Sequence, residues 1–77
     1  MLEALVMQHI ALADRHLREA EERIAAQRLR VANFVGQERE KAEALLETFL
    51  QILDQMQKHR TLLDEELRLC RLSHCAL

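Results

Sequence analysis

The chain contains no proline, no tryptophan and no tyrosine, and its one glycine is Gly36. Without proline, nothing in the covalent backbone forces a helix to stop, so a break can only be sought around Gly36. A glycine-rich phosphate loop is absent, as are Walker-type motifs and Ser-His-Asp sets. Aromatic residues make up 3 % of the chain, which leaves no stacking platform for nucleic acid. The two cysteines, Cys70 and Cys75, stand five apart, on different faces of a helix. They form no C-x-x-C and no zinc-like spacing, so two free thiols in a reducing, cytoplasmic setting are expected. No apolar run reaches the roughly 18 residues that a membrane helix needs. The start "MLEALVMQHIALAD" lacks a basic segment and meets Asp14 early, unlike a signal peptide. Charge of one sign is missing too. Residues 1–36 carry five of the 13 acids and five of the 11 bases, residues 37–77 the other eight and six. Neither half is a basic arm or an acidic tail.

What is present is helix-forming. Apolar residues are 49 % and charged residues 31 %, dominated by Ala, Leu, Glu, Arg and Gln. This mixture is that of a coiled coil or long helix. With 77 residues there is one domain at most, and a core of that size is marginal without a staple or a partner.

Apolar residues recur at heptad spacing in two segments. Ile10, Ala13, Leu17, Ala20, Ile24, Val31 and Phe34 form the first stripe, interrupted by Gln27. Ala42, Leu46, Phe49, Leu53, Met56, Leu63, Leu67 and Cys70 form the second, interrupted by Arg60 and widened on one side by Leu45 and Ile52. Both read as amphipathic helices with charged shoulders. Continued by sevens, the first stripe arrives at 38 and 45, whereas the second is centred on 46 and 53. The one-residue slip falls across Gly36, and residues 37 to 41 are all polar. Gly36 can adopt the left-handed conformation that ends a helix, with Asn33 next best. Arg28 and Arg30 suit the end of one helix dipole, Glu38 and Glu40 the start of another, although no Ser, Thr or Asp cap precedes residue 38. The expected fold is therefore all-α: an antiparallel two-helix hairpin, coiled-coil-like, in one domain. Its parts are helix 2–34, turn 34–37, helix 38–72 and a short tail 73–77. Surface support is expected from Asp14–Arg18, Glu19–Arg23, Asp54–Lys58 and Asp64–Arg68 at i, i+4.

Two helices share a single seam, which leaves half of each apolar face wet. A second hairpin would complete a four-helix bundle. In a hairpin the chain's two ends lie together. Leu2, Leu5, Val6, Met7 and Leu12 then meet Leu62, Leu69 and Leu72, so the open end is apolar nearly all round. An exposed patch of this kind marks an interface. Leu2, Leu5, Val6, Leu12, Leu62, Leu69 and Leu72 are expected to bind a second copy first of all, with a twofold homodimer as the default symmetry.

Residues with chemical potential are few. His9 and His16 are seven apart, and His59 is expected opposite residues 12 to 13, between them. Seven residues span about 10.5 Å of helix, so both cannot ligate one zinc whose Zn–N distances are about 2.0–2.1 Å. No metal site and no cofactor are expected. Arg60 either pairs with Asp14 across the hairpin or with Asp64 one turn on, fixing register, or carries its charge to water while its stem packs. Gln27 admits the same two readings. Cys70 packs as a small apolar residue. Cys75 beside His74 lacks the third group and the pocket of a nucleophile, and no catalytic residue is expected. Arg15, Arg18, Arg23, Arg28 and Arg30 crowd the first helix but interleave with Glu19, Glu21 and Glu22. Nucleic acid is thus not an expected partner, nor is a membrane surface.

The segments "ALADRHLREAEERIAAQRLRV" and "KAEALLETFLQILDQMQKHRTLLDEEL" resemble a group of short uncharacterised bacterial helical-hairpin proteins. In that pattern an "ADRHI…E…RI…Q" helix precedes an "A…LL…F…L…M…HR" helix. Asp14-Arg15-His16 and His59-Arg60 match best, and "NFVGQE" departs from the more polar turn of the pattern. The resemblance implies an intracellular bacterial protein and no established activity. The expected function is non-enzymatic: self-association and protein–protein contacts, with an as yet unidentified protein partner as a further candidate. The alternative is a small nucleic-acid-associated regulator.

Overall fold

The computed structural model describes the backbone of residues 2–76 and the side chains of residues 2–73. Two helices fill it: α1, Leu2–Asn33, and α2, Gly36–Ala76. They pack side by side and antiparallel in a rod measuring 63 × 15 × 12 Å. At 1.5 Å per residue the 41 residues of α2 span about 62 Å, so α2 alone accounts for the long dimension and runs without a kink. That continuity follows from the lack of proline, the absence of any glycine after 36 and the high density of helix formers.

The turn is shorter than the sequence suggests. Only Phe34 and Val35 stand between the helices. The Phe34 amide still donates to the Arg30 carbonyl at 2.9 Å, closing α1, and the Arg39 amide donates to the Val35 carbonyl at 3.4 Å, opening α2. Gly36 lies between these bonds with φ +60° and carries the reversal. It takes the left-handed conformation; Asn33 keeps an ordinary negative φ as the last residue of α1. Because the reversal takes place at the first residue of α2, the second helix begins at 36 rather than 38, and the first closes at 33 rather than 34. Phe34, expected in the first stripe, lies at the turn with 40 % of its surface exposed. At the other end α2 continues to Ala76, so residues 73–76 extend the helix instead of forming a tail. "RLSH" contains no stop signal, which accounts for this.

Inward-facing residues alternate at three and four along both helices. On α1 they run from Glu3 and Val6 through Ile24 and Gln27 to Val31; on α2 from Ala42 and Leu46 to Leu67 and Cys70. Calling the seam positions a and d, the a residues include Ile10, Leu17 and Ile24 on α1 and Leu46, Leu53 and Arg60 on α2. The d residues include Val6, Ala13 and Ala20 on α1 and Phe49, Met56 and Leu63 on α2. This is the heptad packing of a coiled coil, and the second stripe is offset by one residue as its spacing indicates.

Val6, Ile24, Ala42 and Leu63 are the apolar residues that leave solvent in this seam, together with the polar Gln27. Val6 is one correction to the sequence reading. It is 1 % exposed, a d residue of the hairpin's own seam, and cannot contribute surface to a partner. The radius of gyration, 17.7 Å, far exceeds the roughly 11.5 Å of a compact chain of this length. The seam is a line of contact and not a three-dimensional core.

A Cβ on Gly36 would meet nothing within 4 Å. Gly36→Ala is therefore a backbone test alone. It is expected to lower stability by about 1–2 kcal/mol, read by thermal melting, and a synthetic chain carrying D-alanine at 36 should recover that loss. Equal melting of the L- and D-alanine chains would show that the turn does not depend on the left-handed conformation.

Candidate functional site

Antiparallel heptads put unlike residues on the two edges of the seam. The e positions of both helices line one edge, the g positions the other, with the c positions flanking g. These two edges have different chemistry in this chain.

The e edge is ionic. Arg60, at a seam position, directs Nε to Asp14 at 2.7 Å across the hairpin and Nη1 to Asp64 one turn along α2. Hydrogen bonding to Asp14, then to Asp64, raises the guanidinium pKa above its already high ordinary value, so Arg60 stays charged throughout the usable pH range. Both ways of reading Arg60 hold in part: it pairs with both acids, and a quarter of its side chain still meets water. Near the open end Arg71 reaches Glu3 at 2.8 Å. Both interhelical ion pairs of the described residues lie along this edge. Of the four i, i+4 pairs expected, Asp54–Lys58 forms at 2.9 Å. Asp14 and Asp64 turn to Arg60 instead, because an interhelical arginine offers them a less exposed partner.

Gln27 adds a third fixed point near the turn. It is 1 % exposed; its amide donates to the Ala42 carbonyl at 2.9 Å and accepts from Arg30 Nη1 at 3.0 Å. Among the described side chains no buried polar atom lacks a partner. A buried amide that is satisfied at only one register penalises all others.

The g and c edge is the more apolar of the two, although Glu19, Arg23, Arg30 and Glu66 also stand on it and Met7 and Leu50 are exposed at e. It carries Leu2, Leu5 and Leu12 from α1, and Leu45, Ile52, Leu62 and Leu69 from α2, all exposed. The ion pairs that join 14 to 60 and 3 to 71 set the register. At that register Leu5 stands level with Leu69, Leu12 with Leu62, and Leu2 with Leu72. Two leucine rungs, Leu5–Leu69 and Leu12–Leu62, thus climb the open half of one face with Leu2 beyond them, while Leu72 is turned away from it. Of the seven interface residues named at the sequence level, Leu2, Leu5, Leu12, Leu62 and Leu69 gather here; Val6 faces the seam, and Leu72 lines a hollow with Asp64, Arg68 and Arg71 on the other side.

Midway along the same face lies a groove of about 320 Å³ lined by His16, Glu19, Ala20, Arg23, Phe49, Ile52 and Met56. Its origin is a volume deficit. Ala13 and Ala20 occupy successive d positions on α1, and their methyl groups leave the larger Phe49 and Met56 half uncovered. A neighbouring hollow is lined by Ala13, His16, Gln55, Met56 and His59. His16 and His59 therefore share one hollow, and His9 lies two turns away from His16 toward the open end. The spacing argument placed His59 between His9 and His16; the register moves it to His16. The sequence clue to the groove is the pair of alanines at successive d positions, Ala13 and Ala20, which heptad spacing alone presents as ordinary core.

Among the described residues of one chain, no group of three or more His, Cys, Asp or Glu is disposed to hold a metal. No helix of the described residues is long and apolar enough to cross a membrane. The arginines of α1 occupy outward positions all round the helix, and Arg15 faces Glu19 at 3.8 Å. Cys70 is half-buried in the seam as a free thiol, and the Cys75 and His74 side chains lie outside the described residues. Comparison of the chain with protein families, with curated proteins and with solved structures finds no match.

The polar seam residues generate a test of their own. Gln27→Leu combined with Arg60→Leu leaves Glu3 as the one polar seam residue and Asp14 and Asp64 on the surface. The melting temperature is expected to rise, by an amount equivalent to about 1–3 kcal/mol, while the amide spectrum in NMR splits or broadens as registers multiply. A lowered melting temperature with one sharp set of resonances would show that these residues stabilise the hairpin and do not select its register.

Proposed function

We propose that this chain is a non-enzymatic helical hairpin that self-associates through its g and c face and acts by protein–protein contact, with a four-helix bundle of two copies as the working form. The observation that carries this reading is the one-sidedness of the surface: a leucine ladder and a groove on one edge, the ion pairs on the other.

Surface area supports it. The chain exposes 6149 Å². A compact monomer of 9.0 kDa would expose about 4,850 Å². The excess, about 1,300 Å², is more than the roughly 800 Å² per partner that a standard interface covers. Packing two hairpins face to face would cover the rungs and turn a two-helix seam into an enclosed core. A second copy is the natural occupant because the face pairs like with like: leucine rungs and grooves present on one chain are present on its twin, as a twofold interface requires. A nucleic-acid role would call for a concentrated basic face, whereas the arginines here are dispersed around both helices and interleaved with acids.

Light scattering after size exclusion, at tens of micromolar chain, tests the reading. The wild-type chain should run at twice its 9.0 kDa mass. Leu5→Asp with Leu69→Asp should weaken self-association at least about a hundredfold, since unpaired charges would be buried. Leu29→Asp, on the outward surface of α1 away from both edges, should leave it unchanged. A wild-type chain that stays at single mass and still melts cooperatively would refute the proposal.

A further inference from the structure

We propose that His16 and His59 are half of a divalent transition-metal site, which a second copy completes when two hairpins pack antiparallel about a twofold through the middle of the g and c face. The inference rests on the self-association reading above and adds to it an orientation and a ligand.

The first observation is position. His16 and His59 line one hollow, and that hollow sits beside the Leu17–Met56 layer, halfway along the paired length of α1. In an antiparallel pair of rods, only residues near the midpoint meet their own copies. A twofold at this point gathers four imidazoles, two from each chain, around the axis. Both histidines are exposed in the single chain, on the face that a second copy would cover.

The second observation is charge. Arg23 and Arg30 lie on the turn half of this face, Glu66 on its open half. A parallel pairing would gather Arg23 and Arg30 of both copies at one end of the bundle and both Glu66 residues at the other. The antiparallel pairing brings Glu66 to the level of the turn half of the second copy, where its Arg23 and Arg30 lie. It also lays Leu45 and Ile52 of the turn half over the leucine rungs of the open half. Complementary potentials of this kind fix orientation and suppress the alternative.

The ligand class follows from the donors. Neutral imidazole nitrogens suit zinc, copper and nickel rather than magnesium or calcium, and four of them fill the tetrahedral shell of a structural zinc. Ala13 supplies the room beside the pair, Ala20 opens the adjoining groove, and Met56 gives the hollow an apolar surface. One chain offers only two such ligands, in keeping with the lack of a larger ligand group within it. Metal binding would then be coupled to association, because only the dimer holds the full set.

Sedimentation equilibrium of the full chain in EDTA, in zinc and in magnesium is the test, with elemental analysis of the gel-filtered zinc sample. Zinc, but not magnesium, should tighten self-association by at least about tenfold, with one zinc per two chains. His16→Ala with His59→Ala should abolish the response to zinc, so that the variant associates equally in zinc and in EDTA; unchanged helical circular dichroism would confirm that the exposed histidines do not support the seam. A zinc response that persists in the double variant, a ratio of one zinc per chain, or equal association of the wild-type chain in zinc and EDTA overturns the metal site. Association in EDTA is what the preceding reading requires, so its absence overturns that reading whatever zinc does.

Discussion

Two helices can touch each other only along a line, and this geometric constraint governs the rest of the molecule. Along that line the chain has room for one a or d residue every three or four positions, and few of them leave solvent altogether. Each helix keeps most of its circumference in water, so hydrophobic burial per residue stays low for a folded chain. Stability and specificity must then come from different residues. Aliphatic positions in the seam supply the burial, while Gln27 and Arg60 decide which rungs face each other.

The division of the surface into an ionic and an apolar edge follows from the same constraint. Antiparallel heptads bring e beside e and g beside g, so any bias in composition between those positions becomes a bias between two long edges of the rod. Here Asp14 and Asp64 at e attract Arg60, and Glu3 in the seam attracts Arg71 at e. Leu2, Leu45 and Ile52 at g and Leu5, Leu12, Leu62 and Leu69 at c supply the opposite character. The groove beside His16 arises where small d residues on α1 coincide with this apolar edge.

Much of the architecture was legible in the spacing of the sequence. The alternation of three and four, the slip across Gly36 and the polar run after it were enough to read two antiparallel helices, and Gly36 takes the conformation those signals imply. The sequence implies a longer turn than the structure has, because a helix that opens on a left-handed glycine needs no side-chain cap and gives no cap signal. Val6 was misplaced because an apolar cluster at a chain end looks the same whether a residue points to its own partner helix or away from it. Only the register, fixed by Asp14–Arg60 and Glu3–Arg71, separates Val6 from Leu5. The meeting of His16 and His59 depends on that register as well, and a shift of a few residues was enough to hide it from a count along the chain.

The two-residue turn has a kinetic consequence. With Phe34 and Val35 alone between the helices, Gln27 and Ala42 come together at little loop-closure cost. Pairing can therefore zip outward from Gly36, through the Gln27 rung, then past Arg60, and reach Glu3 and Arg71 last. Read backwards, that order is a gradient of opening, with amides near Leu5 and Leu69 exchanging before those near Ile24 and Leu46. The stickiest stretch of the rod is thus also the one that loosens first, and whatever closes over it restrains the hairpin where the chain itself holds least.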